Sequence, residues 1–288
     1  MGLERICRLF GLSRQAFYKH LKVAEKMLIK DHIAQQMVLN IKKDHPRMGT
    51  RKIYHLIKPD LENAGIKMGR DALFDLMDDN NLKVIRRKRR HLTTNSNHVF
   101  RKYPNLIKAI EPGTPNQIWV SDITYIRTDQ KFLYLFLITD AYSKKIMACK
   151  LANTLDSSHA VNSLQDAIKN TCKPIKGLIH HSDRGIQYCS KEYIKVLQKN
   201  KIRISMTEKG DPMENAIAER VNGILKDEYL NQYQSLTTLQ LEKSIEKYNN
   251  KRPHLSCDML TPDLAHKASG TLKKRWKNYY KKPISLEV

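Results

Sequence analysis

The sequence predicts an α/β protein in which small all-α units precede a mixed five-stranded sheet with helices. Three observations support this fold class. Residues 3–82 carry apolar side chains at helical spacing, with Gly at the turns. Residues 83–115 are first basic and then polar. Beyond them, short runs of β-branched and aromatic residues alternate with helical segments, as in a sheet covered by helices.

Length and charge limit the class of function. A chain of 288 residues, 41% of them hydrophobic, is long enough for about two domains with real cores. Its 52 Lys and Arg exceed 29 Asp and Glu, and the formal net charge of +23 favours a polyanionic partner. An anionic membrane would also attract this charge, but no uninterrupted apolar run approaches the roughly 18 residues of a spanning helix. We therefore predict a nucleic-acid-binding protein.

The cysteines and the first residues indicate a cytoplasmic protein. Residues 1–10 lack the long apolar core of a signal peptide. The five cysteines lie far apart without a CxxC pair, which predicts reduced, structural thiols rather than a zinc or redox site. They are Cys7, Cys149, Cys172, Cys189 and Cys257.

Residues 1–30 are predicted to contain a helix-turn-helix unit. Two short helices over residues 3–22 would meet at Gly11, with Ser13 as the cap of the second helix. Any helical hairpin with a Gly turn has the same pattern. In a DNA-binding unit the second helix would present side chains that reach phosphates and base edges in a major groove. These are Arg14, Gln15, Tyr18, Lys19 and His20.

A second helical, helix-turn-helix-like DNA-binding unit is predicted over residues 31–85. Gly49 opens one of its helices and Gly65 makes the turn into another. Its core is expected to contain Ile53, Leu56, Ile57, Leu73, Leu76 and Met77. A basic linker over residues 86–115 follows, which either is simply solvated or tracks a phosphate backbone. Its candidate DNA-binding residues are Arg86, Arg87 and Arg89.

Residues 116–270 are predicted to form the catalytic domain. Three strands, over residues 117–126, 131–139 and 145–151, form a meander. A helix capped by Asp156, a strand at 177–182, a helix at 191–199, a strand at 202–206 and a helix from Pro212 follow. This order is that of a ribonuclease H-like domain. Residues 271–288 form a basic tail that either contacts DNA or packs on the domain.

Asp122 is the first candidate catalytic and metal-binding residue. It interrupts a predicted strand on the same side as Val120 and Thr124. A carboxylate on a buried sheet face is costly unless a cation or donors neutralise it, which favours a ligand role. Asp129 and Asp140 instead fall at a turn and a strand end, where Asp is common structurally.

Asp183 is the second candidate. It follows a predicted strand at the edge of the sheet where ligands collect in α/β proteins, and Gly185 lets the chain turn away. An Asp in this position is as often a helix cap as a ligand. The neighbouring His180 and His181 alternate faces, which favours orienting or core roles over metal binding.

The last helix of this domain separates two glutamates. Asp211 is predicted as its N-cap and Glu214 as the capping-box acid, which gives Glu214 a structural role. A polar ridge at i, i+4, i+7 and i+11 consists of Asn215, Glu219, Asn222 and Lys226. A solvated stripe would have the same spacing, but beside an active site the ridge offers a metal ligand, Glu219, together with DNA-binding groups.

Four motifs combine between residues 119 and 262. They are Trp119-Val-Ser-Asp-Ile-Thr-Tyr125, His181-Ser-Asp-Arg-Gly-Ile-Gln-Tyr188, Asn215-Ala-Ile-Ala-Glu-Arg220 followed by Lys226, and Tyr248-Asn-Asn-Lys-Arg-Pro-His254 with Thr261-Pro262. Together they resemble the OrfB-type transposases of the insertion sequence three family, which are relatives of the retroviral integrases. The resemblance extends over nearly the whole chain. It implies an acidic triad of Asp122, Asp183 and Glu219, with Lys226 contacting DNA phosphate.

The resemblance also implies a reaction and its partners. A DNA transposase cleaves an element end and joins the exposed 3′-hydroxyl to DNA, with two Mg²⁺ ions, or Mn²⁺ in their place, held by the triad. Its partners would be terminal inverted repeats, target DNA, at least one further copy of the chain, and OrfA or an OrfA fusion from an upstream frame. The protein would then act at the bacterial nucleoid. Two alternatives remain, a ribonuclease H-like nuclease or resolvase that cuts without joining, and a non-catalytic DNA-binding remnant.

Overall fold

The computed structural model describes residues 2–85, 99–108, 110–128, 132–171, 175–208 and 212–275. The chain divides into two compact units, residues 1–86 and 87–288. The described part of the first unit contains α1 (Leu3–Leu9), α2 (Arg14–Asp44), α3 (Thr50–Asn63) and α4 (Arg70–Asp79).

The turn between α1 and α2 has the predicted chemistry. Gly11 adopts a φ of +65°, which a residue with a side chain rarely adopts. Ser13 then caps α2, because its Oγ accepts a hydrogen bond from the backbone N–H of Ala16 at 3.0 Å. The predicted turn and cap are therefore confirmed.

The predicted length of α2 is wrong. The helix runs for 31 residues, past the expected end near residue 22 and across the boundary expected between residues 30 and 31. No Gly or Pro occurs between Arg14 and Asp44, so no residue in this range has a strong tendency to end a helix. Residues 18–30 are exposed, whereas Ala34 and Val38 are buried in the core of the unit.

The core of the first unit lies among α2, α3 and α4. As predicted, Ile53, Ile57, Leu73 and Met77 are buried, and Leu56 and Leu76 pack against them half-buried. The helical spacing of these residues therefore identified the correct faces of α3 and α4.

The second unit is built on a five-stranded sheet in the order β3-β2-β1-β4-β5. The strands are β1 (Ile118–Arg127), β2 (Phe132–Asp140), β3 (Ile146–Ala152), β4 (Ile179–Ser182) and β5 (Arg203–Met206). The first three strands pair antiparallel as a meander, and β4 and β5 extend the sheet in parallel from β1. The predicted mixed, five-stranded sheet is therefore confirmed.

Helices cover both faces of this sheet. They are α5 (Ser157–Lys169), α6 (Ile186–Cys189), α7 (Lys191–Lys199), α8 (Ala216–Glu228), α9 (Thr238–Lys251) and α10 (Pro262–Lys267). On one face, a core that includes Trp119 and Phe136 packs against α5 and α7. On the other face, a core that includes Leu135 and Leu137 packs against α8 and α9. The alternation of side chains along β2 thus supplies two separate cores.

Two further expectations concern thiols and membranes. Cys7, Cys149, Cys189 and Cys257 are free thiols, while Cys172 lies outside the described residues. No helix in the described part of the chain is both long enough and apolar enough to cross a bilayer.

Candidate active site

Parallel pairing of β1 and β4 brings two of the predicted carboxylates together. The register places Val120 beside His181. Asp183 follows directly after β4, which ends at Ser182, and it lies near enough to Asp122 for the two charges to interact. This placement follows from strand pairing between segments about sixty positions apart in the sequence.

Helix α8 lies along β1 through three side-chain hydrogen bonds. Asn215 Nδ2 donates to the Ser121 carbonyl at 2.9 Å, Asn222 Nδ2 donates to Asp122 Oδ2 at 2.7 Å, and Lys226 Nζ donates to Thr124 Oγ1 at 3.2 Å. These donors are three members of the predicted polar ridge. Glu219, the fourth member, lies between Asn215 and Asn222 on the same face of the helix and is exposed.

The electrostatics of Asp122 reflect the approach of the other two acids. Burial raises the pKa of Asp122 to about 7, and the charges of Asp183 and Glu219 add to the increase. Hydrogen bonds from Asn222 and from the backbone N–H of Ile123, the latter at 2.9 Å, act in the opposite direction. The predicted triad residues therefore lie within electrostatic range of one another, although they come from three separate elements.

Gly185 leaves room for the carboxylate of Asp183. Its backbone N–H donates to Asp183 Oδ1 at 3.0 Å. A Cβ built on Gly185 would meet the same oxygen at 3.0 Å and Gln187 Oε1 at 3.3 Å. Asp183 is not a helix cap, because α6 begins at Ile186 with Gly185 as its N-cap residue and no side chain caps it. The bond from the Gly185 N–H is a local turn contact, and the carboxylate stays close to Asp122.

The donor set fits a hard divalent cation. All three triad side chains offer carboxylate oxygens, the ligands that Mg²⁺ prefers, and their mutual repulsion would be relieved by a cation. Within the described residues, no three His, Cys, Asp or Glu side chains are already arranged to hold a metal ion.

The two histidines of β4 point to opposite sides of the sheet and make internal hydrogen bonds. His180 Nε2 lies 2.7 Å from Ser121 Oγ and 2.9 Å from Tyr193 Oη, and burial lowers its pKa to about 3. His181 bonds Ser205 Oγ and the Glu214 carbonyl, and burial lowers its pKa to about 4. Both are neutral core residues, in agreement with the role predicted for them.

The competing acids have structural roles. Asp140 is fully buried at the end of β2, where it accepts hydrogen bonds from the backbone of Asn116, Tyr142 and Ser143. Asp129 lies outside the described residues. A structural role is thus confirmed for Asp140.

The capping box predicted for Glu214 is wrong. A 3₁₀ turn spans Pro212–Asn215, and α8 begins only at Ala216 with Asn215 as its N-cap residue. Glu214 instead accepts hydrogen bonds from the backbone N–H of Glu208 at 2.6 Å and from Asn105 Nδ2 at 3.4 Å. The 3₁₀ turn moves the helix start by one turn, so Glu219 falls in the first turn of α8. Asp211 lies outside the described residues.

The predicted DNA-binding residues fall in different places. Arg14, Gln15 and Lys19 are exposed on α2, whereas Arg86, Arg87 and Arg89 lie outside the described residues. Asn215 and Asn222 are buried, and β1 accepts the donors of both amides. The sequence prediction missed Lys22 and Lys26, which continue the exposed face of α2. The helical pattern continues without a break after residue 22, and this continuation indicates that Lys22 and Lys26 belong to the same helix.

Comparison with known proteins identifies the family. Two integrase core domain families match, one over residues 112–212 and the other over residues 200–262. The insertion element IS600 uncharacterized 31 kDa protein of Shigella sonnei is 32% identical over 265 residues, which cover 89% of this chain and 96% of that protein. The chain belongs to the DDE transposases of insertion sequences.

Further relatives agree with this assignment. The putative transposase InsK for insertion sequence element IS150 of Escherichia coli K12 is 27% identical, covering 90% of this chain and 92% of that protein. A chain in the simian T-cell lymphotropic virus intasome, solved by cryo-electron microscopy with PP2A regulatory subunit B56 gamma, superposes with a TM-score of 0.50 at 18% identity. The alignment covers 82% of this transposase and 79% of that chain. The predicted ribonuclease H-like, integrase-type fold is therefore confirmed.

Proposed function

We propose that this transposase cleaves the ends of an insertion sequence and joins the exposed 3′-hydroxyl to DNA through Asp122, Asp183 and Glu219. The observation that carries the proposal is geometric: pairing of β1 with β4 brings Asp122 and Asp183 to one end of the sheet, and Asn222, three residues after Glu219 on α8, donates to Asp122 Oδ2 at 2.7 Å. The raised pKa of Asp122, caused by burial and then by the charges of Asp183 and Glu219, supports the same placement. Carboxylate oxygens gathered in this way would suit divalent cations.

Each residue of the site has a part in the proposed reaction. Asp122, Asp183 and Glu219 would hold two Mg²⁺ ions, for which Mn²⁺ substitutes. When bound, these ions activate the attacking oxygen and stabilise the leaving 3′-oxygen of an in-line displacement. Asn222 and the N–H of Ile123 orient the carboxylate of Asp122. Lys226, beside Thr124, offers a cation to a DNA phosphate near the carboxylates.

Parts of the chain other than the carboxylate site would bind the substrate and the partners. The first unit and the basic linker would bind terminal inverted repeats, and target DNA would enter at the catalytic domain. Joining two ends requires at least two copies of the chain, and OrfA or an OrfA fusion would take part in end recognition. The net charge of +23 supports a DNA substrate, and such a substrate would place the protein at the bacterial nucleoid.

An end-joining assay tests this function. The full chain is incubated with labelled duplexes that carry the element ends and with Mg²⁺. Joined products are expected from the native chain. The variants Asp122→Asn, Asp183→Asn and Glu219→Gln should lose joining by at least about a thousandfold, because removing one ligand disables the whole site, while still binding the ends.

Other outcomes distinguish the alternatives. Nicks without joined products would indicate a nuclease or resolvase, and DNA binding without either product would indicate a non-catalytic remnant. Full joining activity in any one of the three variants would refute the assigned triad. The matched control is Glu192→Gln with its fold checked by circular dichroism, since Glu192 is an exposed carboxylate in the first turn of α7.

A further inference from the structure

The motif Tyr248-Asn-Asn-Lys-Arg-Pro-His254 lies away from the carboxylates but reaches the helix that carries Glu219. Arg252 Nε donates to Glu228 Oε2 at 2.7 Å, and Arg252 Nη2 donates to Glu228 Oε1 at 2.6 Å. Glu228 is the last residue of α8. The C-terminal end of the helix is thus held by a two-pronged Arg–carboxylate pair, which restrains both distance and orientation.

This ion pair is removed from solvent. The side chain of Arg252 is 1% exposed and that of Glu228 is 12% exposed. The guanidinium also lies over the ring of Tyr248, with 5.8 Å between its carbon and the ring centre. A buried pair of this kind tolerates little displacement, because any separation leaves a charge uncompensated in the interior.

The same motif is fastened to the sheet. Asn249 Oδ1 accepts from the backbone N–H of Ile146, and Asn249 Nδ2 donates to the carbonyl of Ile146, both at 3.0 Å. Tyr248 Oη donates to the Lys144 carbonyl at 2.9 Å and lies 2.9 Å from His254 Nε2. Arg252 is therefore anchored to β3 and to the β2–β3 turn through its own neighbours.

Helix α8 is consequently held along its length and at its end. Asn215, Asn222 and Lys226 bond β1, and Glu228, the last residue, bonds Arg252. Glu219 and Glu228 are nine residues apart, about 13 Å along the helix axis at a rise of 1.5 Å per residue. A shift at the far end of a rigid helix is therefore transmitted to the ridge that carries Glu219 and Lys226.

We propose that Arg252 is a positioning residue, which sets the placement of Glu219 and Lys226 relative to Asp122 by holding Glu228. The inference rests on the proposed end-joining function. It assigns to the 248–254 motif a role in aligning the catalytic helix, in addition to its contribution to folding.

The test compares Arg252→Lys and Glu228→Gln with Asp263→Asn. Lys keeps the charge of Arg252 but cannot make the two-pronged contact, and Gln keeps the size of Glu228 but loses its charge. Asp263, on α10, pairs with Lys267 of the same helix and with Lys145, which precedes β3. Its substitution therefore also removes ion pairs but leaves α8 untouched. All variants are studied as full chains, at a temperature where circular dichroism shows them folded.

Two readouts separate positioning from general stability. Hydrogen exchange of the α8 amides should become at least about tenfold faster in both α8-end variants and stay unchanged in Asp263→Asn. The rate at which labelled ends are joined should fall about 10–100-fold in the same two variants. Their affinity for the ends should change less than about twofold, because misplacement of a catalytic group lowers the reaction rate rather than substrate binding.

Joining at the native rate by folded Arg252→Lys and Glu228→Gln would overturn the inference. So would α8 exchange no faster than in Asp263→Asn. If the native chain itself joins no ends, the proposed function fails, while the exchange measurement still decides whether Arg252 fixes α8.

Discussion

At the scale of single residues, Asn222 shows how the site is oriented. Its Nδ2 donates to Asp122, while its Oδ1 is a buried acceptor without a hydrogen-bond partner in the described structure. An unsatisfied buried acceptor costs about 1–3 kcal/mol. The hydrogen bond to Asp122 is therefore the contact through which this side chain offsets that cost.

Asn222→Asp should lower joining by about 10–100-fold, the usual effect of removing a partner that orients a metal ligand. The substitution removes the donor to Asp122 Oδ2 and adds a fourth carboxylate to the site. Joining rates with saturating Mg²⁺ measure the effect. Asn231→Asp makes the same charge change at an exposed position and should join at the native rate. Equal rates in the two variants would exclude an orienting role for Asn222.

Gly185→Ala should displace the carboxylate of Asp183. The added Cβ would lie 3.0 Å from Asp183 Oδ1, closer than ordinary van der Waals contact, so the carboxylate has to turn. We expect joining to fall about tenfold or more, since small misplacements of a catalytic group are costly, with end binding retained. Gly113→Ala is the control, because nothing lies within 4 Å of a Cβ there. Native joining rates in Gly185→Ala would show that Asp183 tolerates the displacement.

At the scale of elements, α2 has a face that the predicted short helix did not include. Lys19, Lys22, Lys26 and Lys30 are exposed and recur at i, i+3, i+7 and i+11, so they form one line along the helix. Gln15 and Tyr18 flank this line on the N-terminal side. A line of cations of this kind suits the phosphates of a DNA backbone, which carry no sequence information directly.

Replacing Lys22 and Lys26 with Gln should weaken DNA binding equally for all sequences. Each lost phosphate contact lowers the slope of log K against log salt by about 0.9, so the slope should fall by about 2. Fluorescence anisotropy over a salt series measures it. The pair Lys195→Gln and Lys199→Gln removes the same charge from α7 and should keep the native slope. If the affinity fell only for DNA that carries the element ends, these lysines would instead contact bases.

At the scale of the whole molecule, neutral histidines in the core couple stability to pH. His180 is 1% exposed and its pKa falls from 6.5 to about 3 in the folded state, because burial penalises the charged ring. Above pH 6.5 neither the folded nor the unfolded state protonates this residue. Below pH 6.5 the unfolded state binds the proton and the folded state does not, so stability is lost as the pH falls toward 3.

His180 should therefore lower the free energy of unfolding between pH 6.5 and pH 4.5 by up to about 1.4 kcal/mol per pH unit. His181, whose pKa is lowered to about 4, acts in the same direction, whereas Asp122, whose pKa is raised to about 7, acts in the opposite direction, so a net decrease remains. Urea unfolding at several pH values measures this slope. His180→Gln should reduce it, whereas His159→Gln, at the half-buried start of α5, should leave it unchanged. An unaltered slope in His180→Gln would show that other groups cause the acid sensitivity.

Local pattern was sufficient for most elements of the catalytic domain. The run of β-branched and aromatic residues located β1 within one residue at each end, and the apolar spacing of Ile53 and Met77 identified the core faces of α3 and α4. The start of α8 was misplaced because Pro212 and Asp211 suit both a helix and a 3₁₀ turn. Glu214 contacts Asn105, which is distant in sequence, and the backbone of Glu208, and the local pattern reveals neither contact.

The amino-acid sequence alone specifies which residue types are available for the reaction and on which face of each element they lie. Periodicity placed Asp122 on one face of a strand and Glu219 on the ridge of a helix, because side-chain direction depends only on the local backbone. Tertiary structure decided that these faces meet. The register of β1 with β4 set Asp122 beside Asp183, and Asn222 and Arg252 fixed α8 over them. Such contacts join segments separated by many residues, so their geometry depends on packing that no single segment contains.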